Sequence, residues 1–232
     1  MTIPAKEQTI DWARQGTALV LDALDGLDDA DLKAPCALPG WTRGHLLAHL
    51  AGNAEALGRL VSWARTGVES RMYASAGQRD ADIESGAAMA GPELRAWVRR
   101  SAAELAAGLD GLGGAAWDAE VITAQGRTVP ATTIPWLRAR ETCVHLVDLA
   151  AGYDFSHLPT EFCVALVGDL ATWRGAKGNG PALELAARDA PDRWRVDGAG
   201  PAHHVELPVA DLAAWLTGRT ERPGLPELPR WL

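Results

Sequence analysis

The sequence predicts a mainly α protein, a four-helix bundle followed by a small α+β domain. Apolar residues recur at helical spacing in four long segments within the first two thirds of the chain. One connection between them is elaborated and reads as a β-hairpin. Beyond about residue 155 the pattern changes to short strand-like runs flanked by helices. The expected domains are residues 1–155 and 156–232.

The first helix is expected over about residues 6–27, with Trp12, Leu19, Ala23 and Leu27 in its apolar stripe. Leu38-Pro39-Gly40-Trp41 is a turn, and Thr42 is placed to cap the helix that follows. That helix runs to about residue 65, with Leu46, Leu50, Ala54, Leu57, Val61 and Ala64 on one face. A third helix starts near Pro92, a residue favoured in the first turn, and ends near residue 109. Two β-prone runs around Gln125-Gly126 give the hairpin. The fourth helix covers about residues 134–150, which completes a bundle. In the second domain a helix at 160–173 precedes strands at 183–188, 193–197 and 203–207, and a helix at 209–217.

Composition narrows the function. The formal net charge of -8 disfavours nucleic acid or an anionic membrane surface as partner. The first residues show no signal-peptide core, and no apolar run is long enough to span a bilayer. Cys36, Cys143 and Cys163 form no CxxC pair, so a disulfide scaffold or a cysteine zinc site is not indicated and a reducing cytoplasm is the expected compartment.

Three residues can meet at one metal ion. Glu141 and His145 lie four apart, one turn apart on one helical face. His49 stands on another helix. Two nitrogens and a carboxylate oxygen form a catalytic zinc set that leaves a coordination position open. On a wheel of about 100° per residue Arg138, Glu141, His145 and Asp148 share one sector. Cys143 falls on the opposite side, and His45 points further out than His49. The same spacing also fits a buried salt-bridge network, with Arg138 on Glu141 or Asp148 and hydrogen-bonded core histidines. Asp148 is expected to orient His145 or to pair with an arginine rather than to bind the ion.

The stretches Leu38-Pro39-Gly40-Trp41-Thr42-Arg43-Gly44-His45-Leu46-Leu47-Ala48-His49 and Arg138-Ala139-Arg140-Glu141-Thr142-Cys143-Val144-His145-Leu146-Val147-Asp148-Leu149 resemble the mycothiol-dependent maleylpyruvate isomerase family, a branch of the DinB-like metal-binding bundles. Met72-Tyr73-Ala74-Ser75 with Arg79, Thr123-Ala124-Gln125-Gly126-Arg127-Thr128-Val129-Pro130 and the terminal Pro229-Arg230-Trp231-Leu232 extend the resemblance along the chain. It implies a DinB-like bundle with a sterol-carrier-like C-terminal domain. It also implies zinc on His49, Glu141 and His145, and mycothiol as thiol cofactor. The implied reaction turns maleylpyruvate into fumarylpyruvate in gentisate-type aromatic catabolism, by thiolate addition, bond rotation and elimination. The family's substrate-site arginine falls on Arg219, and Arg79 and Arg127 are further candidates for cofactor or substrate anions. The protein is expected to work as a cytoplasmic monomer on these two small molecules. Two alternatives use the same scaffold: a mycothiol S-transferase acting on another electrophile, or a non-catalytic small-molecule carrier.

Overall fold

The computed structural model describes residues 4–231, so Met1, Thr2, Ile3 and Leu232 lie outside the described residues. The chain divides into two compact units, one spanning Ala5–Tyr153 and the other running on from Asp154.

The first unit holds α1 (Lys6–Asp25), α2 (Asp29–Lys33), α3 (Arg43–Thr66), α4 (Ala76–Ala87) and α5 (Gly91–Asp110). The strands β1 (Glu120–Ile122) and β2 (Thr128–Pro130) and the helix α6 (Ile134–Asp148) complete it. The four long helices α1, α3, α5 and α6 are those the apolar periodicity predicts. α1 buries Trp12, Ala13, Gly16, Val20, Ala23 and Leu24, a stripe at three- and four-residue steps. α3 starts where Thr42 caps it: the threonine hydroxyl accepts from the His45 amide at 3.4 Å, and His45 Nδ1 accepts from the Thr42 amide at 3.2 Å. It stops at Gly67, whose φ of 73° ends the helix in the left-handed region. Pro92 and Pro135 stand in the first turns of α5 and α6, where the missing amide hydrogen costs nothing.

α1 packs chiefly on α6, and α3 chiefly on α5 with further contacts to α4 and α6. The shared core contains Leu46, Leu47, Leu50, Leu57, Leu60, Leu94, Ile134, Trp136 and Leu146, all nearly or fully buried. Gly16 allows the close approach of α1 to α6: a Cβ there would lie 2.4 Å from Thr142 Oγ1 and 2.7 Å from Cys143 Sγ. Cys143 therefore faces α1, on the side away from Glu141, as the helical wheel predicts. The hairpin pairs Val121 with Val129 in antiparallel register.

α4 has no counterpart in the sequence reading. Among its described residues the deeply buried aliphatic side chain is Ile83, so no apolar stripe announces it. Its signal is local instead, since Ser75 Oγ accepts from the Gln78 amide at 3.0 Å as an N-cap. Gly86 lets it lie against α3, because a Cβ at that position would meet Ala48 Cβ at 2.7 Å and the Trp97 ring at 2.6 Å.

The second unit contains α7 (Thr160–Lys177), β3 (Pro181–Ala187), β4 (Arg193–Val196), β5 (Ala199–Leu207) and α8 (Val209–Leu216). The sheet order is β4-β3-β5, with β3 antiparallel to β4 and parallel to β5. α7 packs on α8 and on β4. Arg174 of α7 donates to the carbonyls of Pro229 and Leu216 at 2.9 and 2.6 Å, which ties the tail to the end of α8. A bundle followed by an α+β unit is the architecture expected. Among the described residues no helix is long and apolar enough to cross a membrane.

Candidate metal centre

His49 projects from the second turn of α3, and Glu141 and His145 project from one face of α6. The structure brings them together: one ligating atom from each lies within 4.8 Å of the other two. His49 Nε2 is 2.9 Å from Glu141 Oε2, and His145 Nε2 is 3.5 Å from the same oxygen. The two imidazole rings meet edge to face with centroids 5.0 Å apart. Trp41, from the turn before α3, lies 5.8 Å from the His49 ring and walls the cluster.

Asp148 does not ligate with the others but holds His145 from behind, Oδ2 to Nδ1 at 2.8 Å. That bond directs Nε2 toward Glu141 and His49, which is the usual arrangement behind a ligating histidine. His45 is committed elsewhere. Its Nδ1 is 2.7 Å from Thr42 Oγ1, so it serves the helix cap. Arg138 does not follow the salt-bridge alternative: its Nη1 donates to the Leu50 carbonyl at 2.9 Å and to Asn53 Oδ1 at 3.0 Å.

The electrostatics follow from burial and these bonds. Burial opposes the charge on Glu141, yet hydrogen bonds from His145 and His49 hold its carboxyl well below the usual carboxylate range. His49 is 5% exposed, and burial pushes its imidazole down despite Glu141. Burial also works against a charged His145, but Asp148 and Glu141 outweigh it and raise the imidazole to about 9. Burial lowers the Arg138 guanidinium to about 10 against the pull of Glu141 and Tyr73.

The donor set fits a divalent ion. Two imidazole nitrogens and one carboxylate oxygen converge, one histidine is backed by a carboxylate, and three protein ligands leave room for a further ligand. Nitrogen and oxygen donors of this kind suit zinc, and also nickel, cobalt or copper.

A cavity of about 230 Å³ opens on His49 and is lined by Glu55, Arg59, Tyr73, Arg79, Asp82 and Trp97 among others. Arg79 reaches the cluster directly, with Nη2 3.4 Å from His49 Nδ1. It also lines a second cavity of about 250 Å³, together with Tyr73, Ser75 and Thr123 of the hairpin. Arg127 sits at the exposed end of that hairpin and does not line either cavity. Arg219 belongs to the second unit. It follows the left-handed Gly218, donates from Nη1 to the Thr217 carbonyl at 2.8 Å and lies 5.6 Å from the Trp231 ring centroid.

The sequence reading missed Glu55, Arg59, Asp82 and Trp97. Glu55 accepts from Trp97 Nε1 at 2.6 Å, and Arg59 is fixed by two bonds to the Met72 carbonyl. A signal existed, for His49, Gly52, Glu55 and Arg59 recur at three- and four-residue steps along α3.

Comparison with known proteins extends these observations. Residues 13–150 match the family described as "Mycothiol maleylpyruvate isomerase N-terminal domain". A solved structure named "Crystal structure of the mycothiol-dependent maleylpyruvate isomerase" is 33% identical, superposes with a TM-score of 0.93 and covers 100% of both chains. A second, named as a histidine-to-alanine mutant of that enzyme, is also 33% identical over 100% of both chains, with a TM-score of 0.92. Among curated proteins no match is found.

Proposed function

We propose, from the premise that the chain belongs to the mycothiol maleylpyruvate isomerase family, that it converts maleylpyruvate to fumarylpyruvate with mycothiol as thiol cofactor and zinc on His49, Glu141 and His145. The observation that carries the reading is the convergence of His49 Nε2 and His145 Nε2 on one oxygen of Glu141, beside a cavity that Arg79 enters.

Turning a cis double bond into a trans one requires that its π bond be removed for a moment. A thiolate sulfur adds to the activated alkene carbon, and the π electrons move onto the conjugated carbonyl as an enolate. The remaining single bond rotates. The enolate then re-forms the alkene and expels the thiolate, so the thiol is regenerated. A divalent ion in this site would supply the positive charge that favours the deprotonated thiol at neutral pH.

The chain's own residues do the rest. Asp148 fixes the tautomer and the direction of His145. Glu141 stays ionised at every pH near neutral and gives the cluster its single negative charge. Arg79 presents a guanidinium to the cavity wall, where a substrate carboxylate or the enolate oxygen needs a partner. Arg219 and Arg127 are the further arginines assigned to substrate or thiol anions.

The test is turnover of maleylpyruvate by purified protein with and without mycothiol, followed as loss of the cis isomer and appearance of the trans one. Turnover should require mycothiol. Undiminished turnover after removal of every small thiol would overturn the reading. Consumption of both reactants into a stable adduct would assign a mycothiol S-transferase instead.

A further inference from the structure

Arg138 stands one turn before Glu141 on α6 and is 3% exposed. Its acceptors, the Leu50 carbonyl and Asn53 Oδ1, belong to α3. Leu50 adjoins His49 in the chain and Asn53 lies one turn beyond it. The guanidinium is thus lodged in the seam between the two helices that carry the cluster. Both acceptors are neutral.

A buried cation is ordinarily matched by a carboxylate, because an unmatched charge is costly to desolvate. The neighbouring His145 follows that rule, with Asp148 at 2.8 Å. Arg138 has an amide where an aspartate of nearly the same shape would fit. Its charge is therefore felt by Glu141, one turn along α6, and by Tyr73 of the cavity wall. A divalent ion with two neutral imidazoles, Glu141 and the backing Asp148 sums to zero charge, and Arg138 makes the sum positive at a depth where screening is weak.

We propose that Arg138 is a positioning residue whose charge, hydrogen-bonded only to neutral groups and preserved by the neutral Asn53, makes the open side of the His49–Glu141–His145 cluster prefer an anionic ligand, a thiolate, over a neutral one. The proposal rests on the thiol reading above and deepens it, for it assigns a residue outside the ligand set to the choice of ligand charge.

The experiment uses the full chain loaded with cobalt(II). At neutral pH it is titrated with N-acetylcysteine, followed by the sulfur-to-cobalt charge-transfer absorbance, and separately with imidazole as a neutral ligand. Asn53→Asp gives Arg138 a carboxylate at constant shape, and Arg138→Gln removes the charge. Each should weaken thiol binding on the order of tenfold while imidazole binding is unchanged. Asn53→Asp should hold cobalt at least as tightly as the unmutated chain, since it adds negative charge near the cation. Arg138→Lys keeps the charge and should retain thiol affinity. Equal loss of thiol and imidazole binding, or thiol affinity unmoved in both Asn53→Asp and Arg138→Gln, overturns the proposal. Absence of any thiol band from the unmutated chain overturns the thiol reading and this inference with it.

Discussion

His145 and Asp148 are three residues apart on α6, and the imidazole Nδ1 meets the carboxylate Oδ2 at 2.8 Å. Asp148 is 1% exposed, so this bond holds the ring with a buried carboxylate. The bond leaves Nε2 as the free donor of His145 and points it at the oxygen that His49 also faces.

Replacing Asp148 by Asn keeps the shape but weakens that hold on the ring. The expected result is a ten- to hundred-fold loss of zinc affinity, roughly the effect of removing such a backing carboxylate. Competition against a chromogenic chelator measures it, and unchanged affinity would show that the ring needs no such support.

His49→Ala should lose the ion and the activity while the bundle remains folded. The leucine core of α3 does not depend on the imidazole. Metal analysis after dialysis should fall from about one zinc per chain to none, with the helical circular dichroism preserved. A metal-replete, active variant would remove His49 from the ligand set.

The chelator-treated protein should lose stability as pH rises from about 6.5 to about 9. His145 is raised to about 9, above its unfolded value. Its contribution is therefore complete below about 6.5 and lost as pH climbs through about 9, at most about 3 kcal/mol. Glu141, held low, acts at the acid end and contributes only above its unfolded range. His49, pushed down, costs stability only below about 6.5. The raised thiols of Cys36 and Cys163 begin to matter above their ordinary value of 9.0. Denaturant midpoints across this interval check the slope, and a flat profile would contradict the charged His145–Asp148 pair.

Gly16→Ala should destabilise the bundle even though alanine favours a helix. The new methyl would overlap Thr142 Oγ1 and Cys143 Sγ, two short buried side chains that cannot swing away. Overpacking of this kind costs about 1–3 kcal/mol against roughly 1 kcal/mol gained in propensity. Equilibrium unfolding decides the net sign.

Arg219→Lys should lower turnover roughly ten- to hundred-fold, as expected for the loss of a charge-assisted contact of about 1.5–3 kcal/mol. A lysine keeps the charge but not the planar fork that suits a carboxylate. Zinc content should stay the same, because Arg219 lies outside the ligand set. Turnover equal to that of the parent would return this arginine to a role in its own unit, where it already lies on Trp231.

Much of this protein is written in local spacing. The 3.6-residue period of leucine and alanine marks α1, α3, α5 and α6. Thr42 marks the start of α3, and the four-residue step from Glu141 to His145 places both on one face before any fold is known. These features depend only on residues within a turn or two of each other, so sequence alone determines them. Packing decided the rest. The choice of His49 over His45 depends on which α3 face meets α6, and on the cap that occupies His45. Asp148 could have been a ligand, a salt-bridge partner or a support until the rotation of α6 put it behind His145. Arg138 could have met either acid, but the seam between α3 and α6 offered it a carbonyl and an amide. α4 escaped notice because a helix held by one isoleucine and a glycine contact has no periodic signature. The partners of a side chain across a helix seam are set by helix rotation and translation, and no local pattern encodes those two quantities.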